Sequence, residues 1–199
     1  MKGILFKPWK IKFIAEHPDM ELQTRRAEAG LKEINRESDK WDLVGKTVNG
    51  AFIFQLKSDI DYFQMEVKPR YQVGEVGETV YIKEAFMIEQ SDGFDEPTDR
   101  PFKNDYEWGL LIPHYKLTDP DPELYDEEGK RVKWLSPLFM PEWAARYFLV
   151  ITGNSAERLS LPLSPEELVL EGGEAALPIL EKINGLWVFT YTFRNKEGK

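Results

Sequence analysis

Gly3-Ile4-Leu5-Phe6-Lys7-Pro8-Trp9-Lys10-Ile11-Lys12-Phe13-Ile14 stands near the start of the chain, and Gln23-Thr24-Arg25-Arg26 follows it after a short gap. Ile4 to Phe6 reads as the beginning of a strand. Pro8 has no N–H to give to a sheet, so the ladder stops there. Trp9, Phe13 and Ile14 then recur at helical spacing and predict a short amphipathic helix. His17-Pro18-Asp19 ends it, because the residue before a proline avoids the helical region. Gln23 to Arg26 leaves that turn extended, which sends the neighbours Arg25 and Arg26 to opposite faces.

Further along, Ala27 to Arg36 carries Ala29, Leu31 and Ile34 among charges and predicts a helix weakened by Gly30. Ala51 to Lys57 and Tyr62 to Lys68 read as two strands of a hairpin, joined by the turn-like Ser58-Asp59-Ile60-Asp61. Thr79 to Phe86 predicts a strand with Val80 and Ile82 on one face and Tyr81 and Lys83 on the other. Pro141 to Ala145 suits one helical turn with proline at its first position. Tyr147 to Thr152 reads as a strand buried on both faces. Ser164-Pro165-Glu166-Glu167 has the form of a capping box, and Gly172-Gly173 marks the end of the helix it opens. Leu186 to Phe193 predicts a central closing strand. About six strands with few helices point to a single α+β domain over 1–199, built on a small mixed β-barrel with short helices at its rim.

Apolar residues make up 42% of the 199 residues and aromatics 13%, the composition of a folded chain. There is no cysteine, which excludes disulfides, thiol catalysis and cysteine-held metals. Two histidines, His17 and His114, are too few for a histidine-rich metal centre. No metal or other cofactor is expected, although a carboxylate site for magnesium stays open. No apolar run reaches the roughly 18 residues of a membrane span, and no apolar leader is seen, so a cytoplasmic protein is expected. The net charge is −9, unlike a generic nucleic-acid binder. Yet the acidity is local. Residues 89–128 hold thirteen acids against three bases, a net of −10, so the remainder nets +1. Five prolines interrupt this block, which reads as a solvated acidic insertion.

Several stretches together resemble the ASCH domains, relatives of the PUA domain, in the form found in phage and prophage proteins. The family's Gly-Arg-Lys-Thr-Gln-Thr-Arg-Arg motif is matched by Asp19-Met20-Glu21-Leu22-Gln23-Thr24-Arg25-Arg26. Its Tyr-Gly-x-x-Gly-Asp-x-Leu-Trp-Val-Arg-Glu-Thr-Trp is matched by Tyr71 and then Val76 to Phe86. Its Ser-x-x-His-Met-Pro-x-Trp-Ala-Ser-Arg is matched by Ser136 to Arg146. The capping box and aromatic last strand follow in family order. Lys32 to about Lys68 and the acidic block lie outside the match. The resemblance implies a PUA-like barrel with a cleft beside its N-terminal helical layer, binding RNA, a nucleotide or a modified nucleoside in a host cytoplasm. It also implies an alternative, hydrolysis of a modified nucleoside or of RNA, for which a branch of the family uses a lysine, a threonine and a glutamate. Here the threonine is Thr24, but the lysine position is Glu21 and the histidine before Met-Pro is Phe139.

The candidate binding residues are Lys7, Lys10, Gln23, Thr24, Arg25, Arg26, Lys83, Glu84 and Arg146, with Thr24 also the candidate nucleophile. A guanidinium fork suits phosphate or a base edge. It suits a structural carboxylate equally well, and Glu84, if buried, asks for Arg26 or Arg146 as its partner. Lys7, Lys10 and Lys12 read as a phosphate path or a solvated face. Trp9, Trp134 and Trp143 read as base-stacking platforms or as core. A third alternative is a protein partner, held through the acidic block.

Overall fold

The computed structural model describes residues 1–57, 63–72, 78–91, 101–104, 107–119, 124–125 and 129–196. In chain order its elements begin with β1 (Lys2–Leu5), α1 (Pro8–Glu16), β2 (Leu22–Arg26), α2 (Lys32–Arg36), β3 (Trp41–Lys46), β4 (Phe52–Leu56) and β5 (Gln64–Val67). They continue with β6 (Glu78–Lys83), β7 (Phe86–Ser91), β8 (Pro101–Asn104) and β9 (Glu107–Tyr115). The last are β10 (Phe148–Arg158), α3 (Pro165–Glu171), α4 (Leu177–Leu180) and β11 (Trp187–Asn195). The fold is mixed α+β. It divides into two compact units, Met1–Lys12 with Val80–Phe148, and Phe13–Thr79 with Leu149–Lys199.

In the first unit β1 lies parallel to β6, with Ile4 opposite Ile82 and Leu5 opposite Lys83. Ile4, Val80 and Ile82 are fully buried. Tyr81 is buried as well, so β6 is covered on both faces; Tyr81 and Lys83 share one face as expected, the Lys83 ammonium lying 5.6 Å from the Tyr81 ring centre. Gly3 is required here: a Cβ would stand 2.3 Å from Lys83 Cε. β7, β9 and β8 form an antiparallel sheet with β9 in the middle. β8 and β9 lie in the acidic block, which thus supplies paired strands. Phe86, Tyr81, Met140, Ala144 and Ala145 make the core of this unit, with Tyr115, Trp143 and Phe148 against it. Three bonds tie residues 137–147 down: Tyr81 Oη to the Met140 carbonyl (3.2 Å), Tyr115 Oη to the Ala144 carbonyl (2.7 Å), and Ile82 N–H to the Tyr147 carbonyl (3.0 Å). The helical turn expected at Pro141 is a 3-10 turn over Glu142–Ala144, with Pro141 as its extended cap.

In the second unit β11 is central, antiparallel to β10 on one side and to β2 on the other. β3, β4 and β5 form a separate antiparallel sheet. Phe52 packs on Phe189, Phe54 on Trp187 and Tyr71 on Tyr191. The predicted hairpin is β4 and β5; its connection, Ser58 to Asp61, lies outside the described residues. The predicted helix over 27–36 is a 3-10 turn, Ala29–Leu31, followed by α2. β3 alternates in burial, but Val44 and Gly45 break the apolar–polar pattern of its sequence, so it was not legible there.

Two expectations are corrected. Among the described residues no sheet closes on itself into a barrel. In the second unit β4 meets β11 through side-chain ring contacts, one tilted and one edge-on, where closure needs edge-to-edge hydrogen bonds between strands. β10 is not buried on both faces either. Leu149 and Ile151 are buried, Val150 is half-buried and Thr152 is exposed.

Candidate functional site

Arg146 follows the 3-10 turn over Glu142–Ala144, which the core holds against β6 and β7. Its guanidinium makes a two-bonded fork with Glu84, Nε to Oε1 at 2.8 Å and Nη2 to Oε2 at 2.7 Å. Nη1 donates to Thr118 Oγ1 at 3.1 Å. The cation also lies 4.4 Å from the Tyr115 ring centre and 5.0 Å from that of Tyr147. Glu84 is 3% exposed, so its charge needs this partner. Burial acts to lower the Arg146 pKa, but the hydrogen bond and charge of Glu84 outweigh it and hold the group above its ordinary value. The cationic partner anticipated for a buried Glu84 is therefore Arg146, and both residues are committed to each other.

Lys83, the next-door neighbour of Glu84, is not spent in this way. Its ammonium donates to the Leu138 carbonyl at 2.8 Å and lies 5.6 Å from the Tyr81 ring centre. Both partners are neutral, and among the described residues Lys83 meets no carboxylate. The carbonyl it grips belongs to a 3-10 turn, Pro137–Phe139, capped by the Ser136 hydroxyl. On that turn Leu138 is 62% exposed and Phe139 is 75% exposed. An uncompensated cation is thus fixed one residue away from an open aromatic ring. Lys7 is exposed, while Lys10 is buried at 3% and engaged. Trp143 packs against the core, as the bland reading of that tryptophan has it.

In the second unit β2 splits its residues between two faces. Arg25 donates from Nε to Glu157 Oε1 (2.7 Å), from Nη2 to Glu167 Oε1 (2.7 Å) and from Nη1 to Glu171 Oε1 (3.0 Å). Its side chain is 3% exposed. Burial acts to lower its pKa, and the three carboxylates outweigh that, Glu157 foremost. Glu157 also accepts from the Thr190 hydroxyl. Every nitrogen of Arg25 is therefore used inside the protein. Sequence reading missed these three acids. One signal was present: Glu167 and Glu171 are four apart on α3, so they share a helix face.

Gln23, Thr24 and Arg26 are half-buried, and Gln23 and Arg26 each have a partner. Thr24 lies opposite Tyr191 in the sheet. The Tyr191 hydroxyl donates to Glu28 at 2.9 Å; burial first, then the Glu28 charge, push its pKa well above the ordinary tyrosine value. Among the described residues no base lies within hydrogen-bond distance of Thr24 Oγ1. Glu21, at the family's lysine position, accepts from Thr152 Oγ1 at 2.7 Å instead. The predicted residues are thus distributed: Lys7, Lys10, Lys83, Glu84 and Arg146 in the first unit, Gln23 to Arg26 in the second. Among the described residues no group of His, Asp or Glu is arranged for a metal, and no helix is long and apolar enough to cross a membrane.

Comparison with models of known protein families, with curated proteins and with solved structures finds no match.

Proposed function

We propose that this chain is a phage-type ASCH/PUA-like protein that binds single-stranded RNA or a nucleotide, and that it binds without catalysis. The observation that carries this is that Lys83 holds the carbonyl of Leu138, the residue that precedes the exposed Phe139. Single-stranded nucleic acid asks for a cation to meet phosphate and a ring face on which a base can stack. The Leu138 carbonyl and the Tyr81 ring that Lys83 meets are neutral and do not offset its charge, and its bond to the Leu138 carbonyl ties it to the turn that carries Phe139. Phe139 stands where the resembled family has a histidine, so this position favours stacking over proton transfer. Gln23, Thr24 and Arg26 belong to the second unit and are not part of this site. Arg25, Arg146 and Glu84 serve as framework. Hydrolysis fares worse: a threonine nucleophile needs an adjacent base, and Glu21 is turned to Thr152.

The test is a titration of a short single-stranded RNA, followed by fluorescence anisotropy at low and moderate salt. Phe139→Ala should weaken binding about 5- to 150-fold, the equivalent of about 1–3 kcal/mol of stacking, and Lys83→Gln should weaken it and reduce its salt dependence. Absence of binding at low salt, or binding indifferent to both substitutions, would refute the proposal.

A further inference from the structure

The second unit holds an open-mouthed cavity of about 540 Å³, lined by Lys46, Thr47, Val48, Asn49, Gly50, Lys68, Gln72 and Asn154. It lies largely in residues outside the ASCH resemblance and is distinct from Lys83 and Phe139. Among the described residues its lining contains two lysines and no acid, within a protein whose net charge is −9. A local positive recess in an acidic molecule draws anions to itself.

The recess is also built to hold its shape. Thr47 N–H donates to the Ala51 carbonyl (2.7 Å), Ala51 N–H to Thr47 Oγ1 (3.0 Å), and Gly50 N–H to the Thr47 carbonyl (2.9 Å). Gly50 has φ +77°, the left-handed conformation that closes such a hairpin and that glycine adopts without strain. The Gln72 amide reaches the Asn49 carbonyl (3.4 Å), and the Asn154 amide donates to the carbonyl of buried Tyr71 (3.2 Å). Lys46 is steadied by Asn154 Oδ1 (2.6 Å) and by the Phe52 ring, 4.7 Å away. These partners are neutral, so its charge is kept. The nearest acid in this network, Glu78, accepts from the Gln72 N–H and is not part of the lining. Among the described residues the Val48 and Asn49 N–H groups make no hydrogen bond, which leaves them to an incoming acceptor.

The lining also narrows the ligand. With no ring in it to take a base, a nucleobase has nothing to stack on. With no carboxylate in it, a divalent cation has no charged ligand. Two ammonium groups, three side-chain amides and a hydroxyl suit a phosphate attached to a hydroxyl-bearing body. We infer that this recess is a binding site for a small phosphorylated polyol, such as a sugar phosphate, with Lys46 and Lys68 on the phosphate and Asn49, Gln72 and Asn154 on the hydroxyls.

Titration of the full chain with ribose 5-phosphate, inorganic phosphate and ribose, followed by amide NMR shifts, tests this. Ribose 5-phosphate should saturate with a Kd of about 1 mM or tighter and move the Thr47 to Gly50 and Gln72 signals. Inorganic phosphate should move the same signals more weakly, and ribose should move none. Lys46→Gln and Lys68→Gln, both at exposed positions that tolerate substitution, should each weaken binding about tenfold, while RNA affinity stays at the wild-type value. Inorganic phosphate binding as tightly as ribose 5-phosphate would overturn the polyol assignment. Failure of ribose 5-phosphate to saturate, or saturation unaffected by the paired substitution, would overturn the site.

Discussion

At the residue scale, two arginines show how one side chain can look like a ligand contact and be framework. Arg25 has the composition of a phosphate reader and sits in the resembled motif, yet three glutamates fill its donors. Removing one partner of a buried ion pair costs about 3–5 kcal/mol, because the remaining charges stay without compensation. Glu157 and Glu167 are about two-fifths exposed, so water screens part of that loss. Arg25→Ala should therefore cost about 2–4 kcal/mol in urea unfolding, and Arg25→Met combined with Glu171→Leu should recover part of it. A loss below about 0.5 kcal/mol, the range of ordinary surface changes, would show that the cage contributes little. Phe139 is the converse case. Its identity is plain in the sequence, but its exposure comes from the turn that presents it, which the Lys83 ammonium holds through the Leu138 carbonyl.

At the scale of elements, α3 was the most legible. Ser164 Oγ accepts from the Glu167 N–H (3.2 Å) and Glu167 Oε2 accepts from the Ser164 N–H (3.1 Å), the reciprocal pair that the sequence predicts. Gly172, at φ +105°, ends the helix. Ser164→Ala should cost about 1 kcal/mol of stability, read as a lower urea midpoint with unchanged slope. The Glu167 pKa is lowered from its ordinary value, first by the Ser164 backbone N–H; burial opposes this, and the Ser164 hydroxyl and Arg25 add to the lowering. A depressed carboxylate stabilises the fold in full above its unfolded pKa and loses that contribution as pH falls through the folded value. The stability gap between wild type and Glu167→Gln should hence be constant near neutrality and shrink in acid. A gap that widens in acid would contradict the sign. β3 and the 3-10 turns were less legible, since Val44 and Gly45 interrupt the apolar–polar pattern of a strand whose burial does alternate, and short turns leave no periodic trace.

For the whole molecule, charge sets the terms of binding. A chain at −9, with thirteen of its 35 acids in one block, is ill suited to wrapping a nucleic acid with many phosphate contacts. Each phosphate neutralised on a single strand contributes a slope of about −0.7 to log K against log salt. RNA binding through one to three cations should give a total slope between about −0.7 and −2, and Lys83→Gln should reduce its magnitude by about 0.7. A much steeper slope would mean that a broad basic surface is engaged instead.

The sequence by itself determined the local elements: the strand–helix–strand opening, the β4–β5 hairpin, the capped helix and the aromatic last strand. Each depends on neighbours a few residues apart, through side-chain periodicity, proline's missing N–H and reciprocal capping. Only the tertiary structure decided which charges are spent. The three acids around Arg25 stand 132, 142 and 146 residues away along the chain. Coulomb attraction and burial depend on distance in space, which no local spacing encodes. The same holds for the open sheets, because ring packing between Phe52 and Phe189 is compatible with either edge closure or face-to-face stacking until the strands are placed.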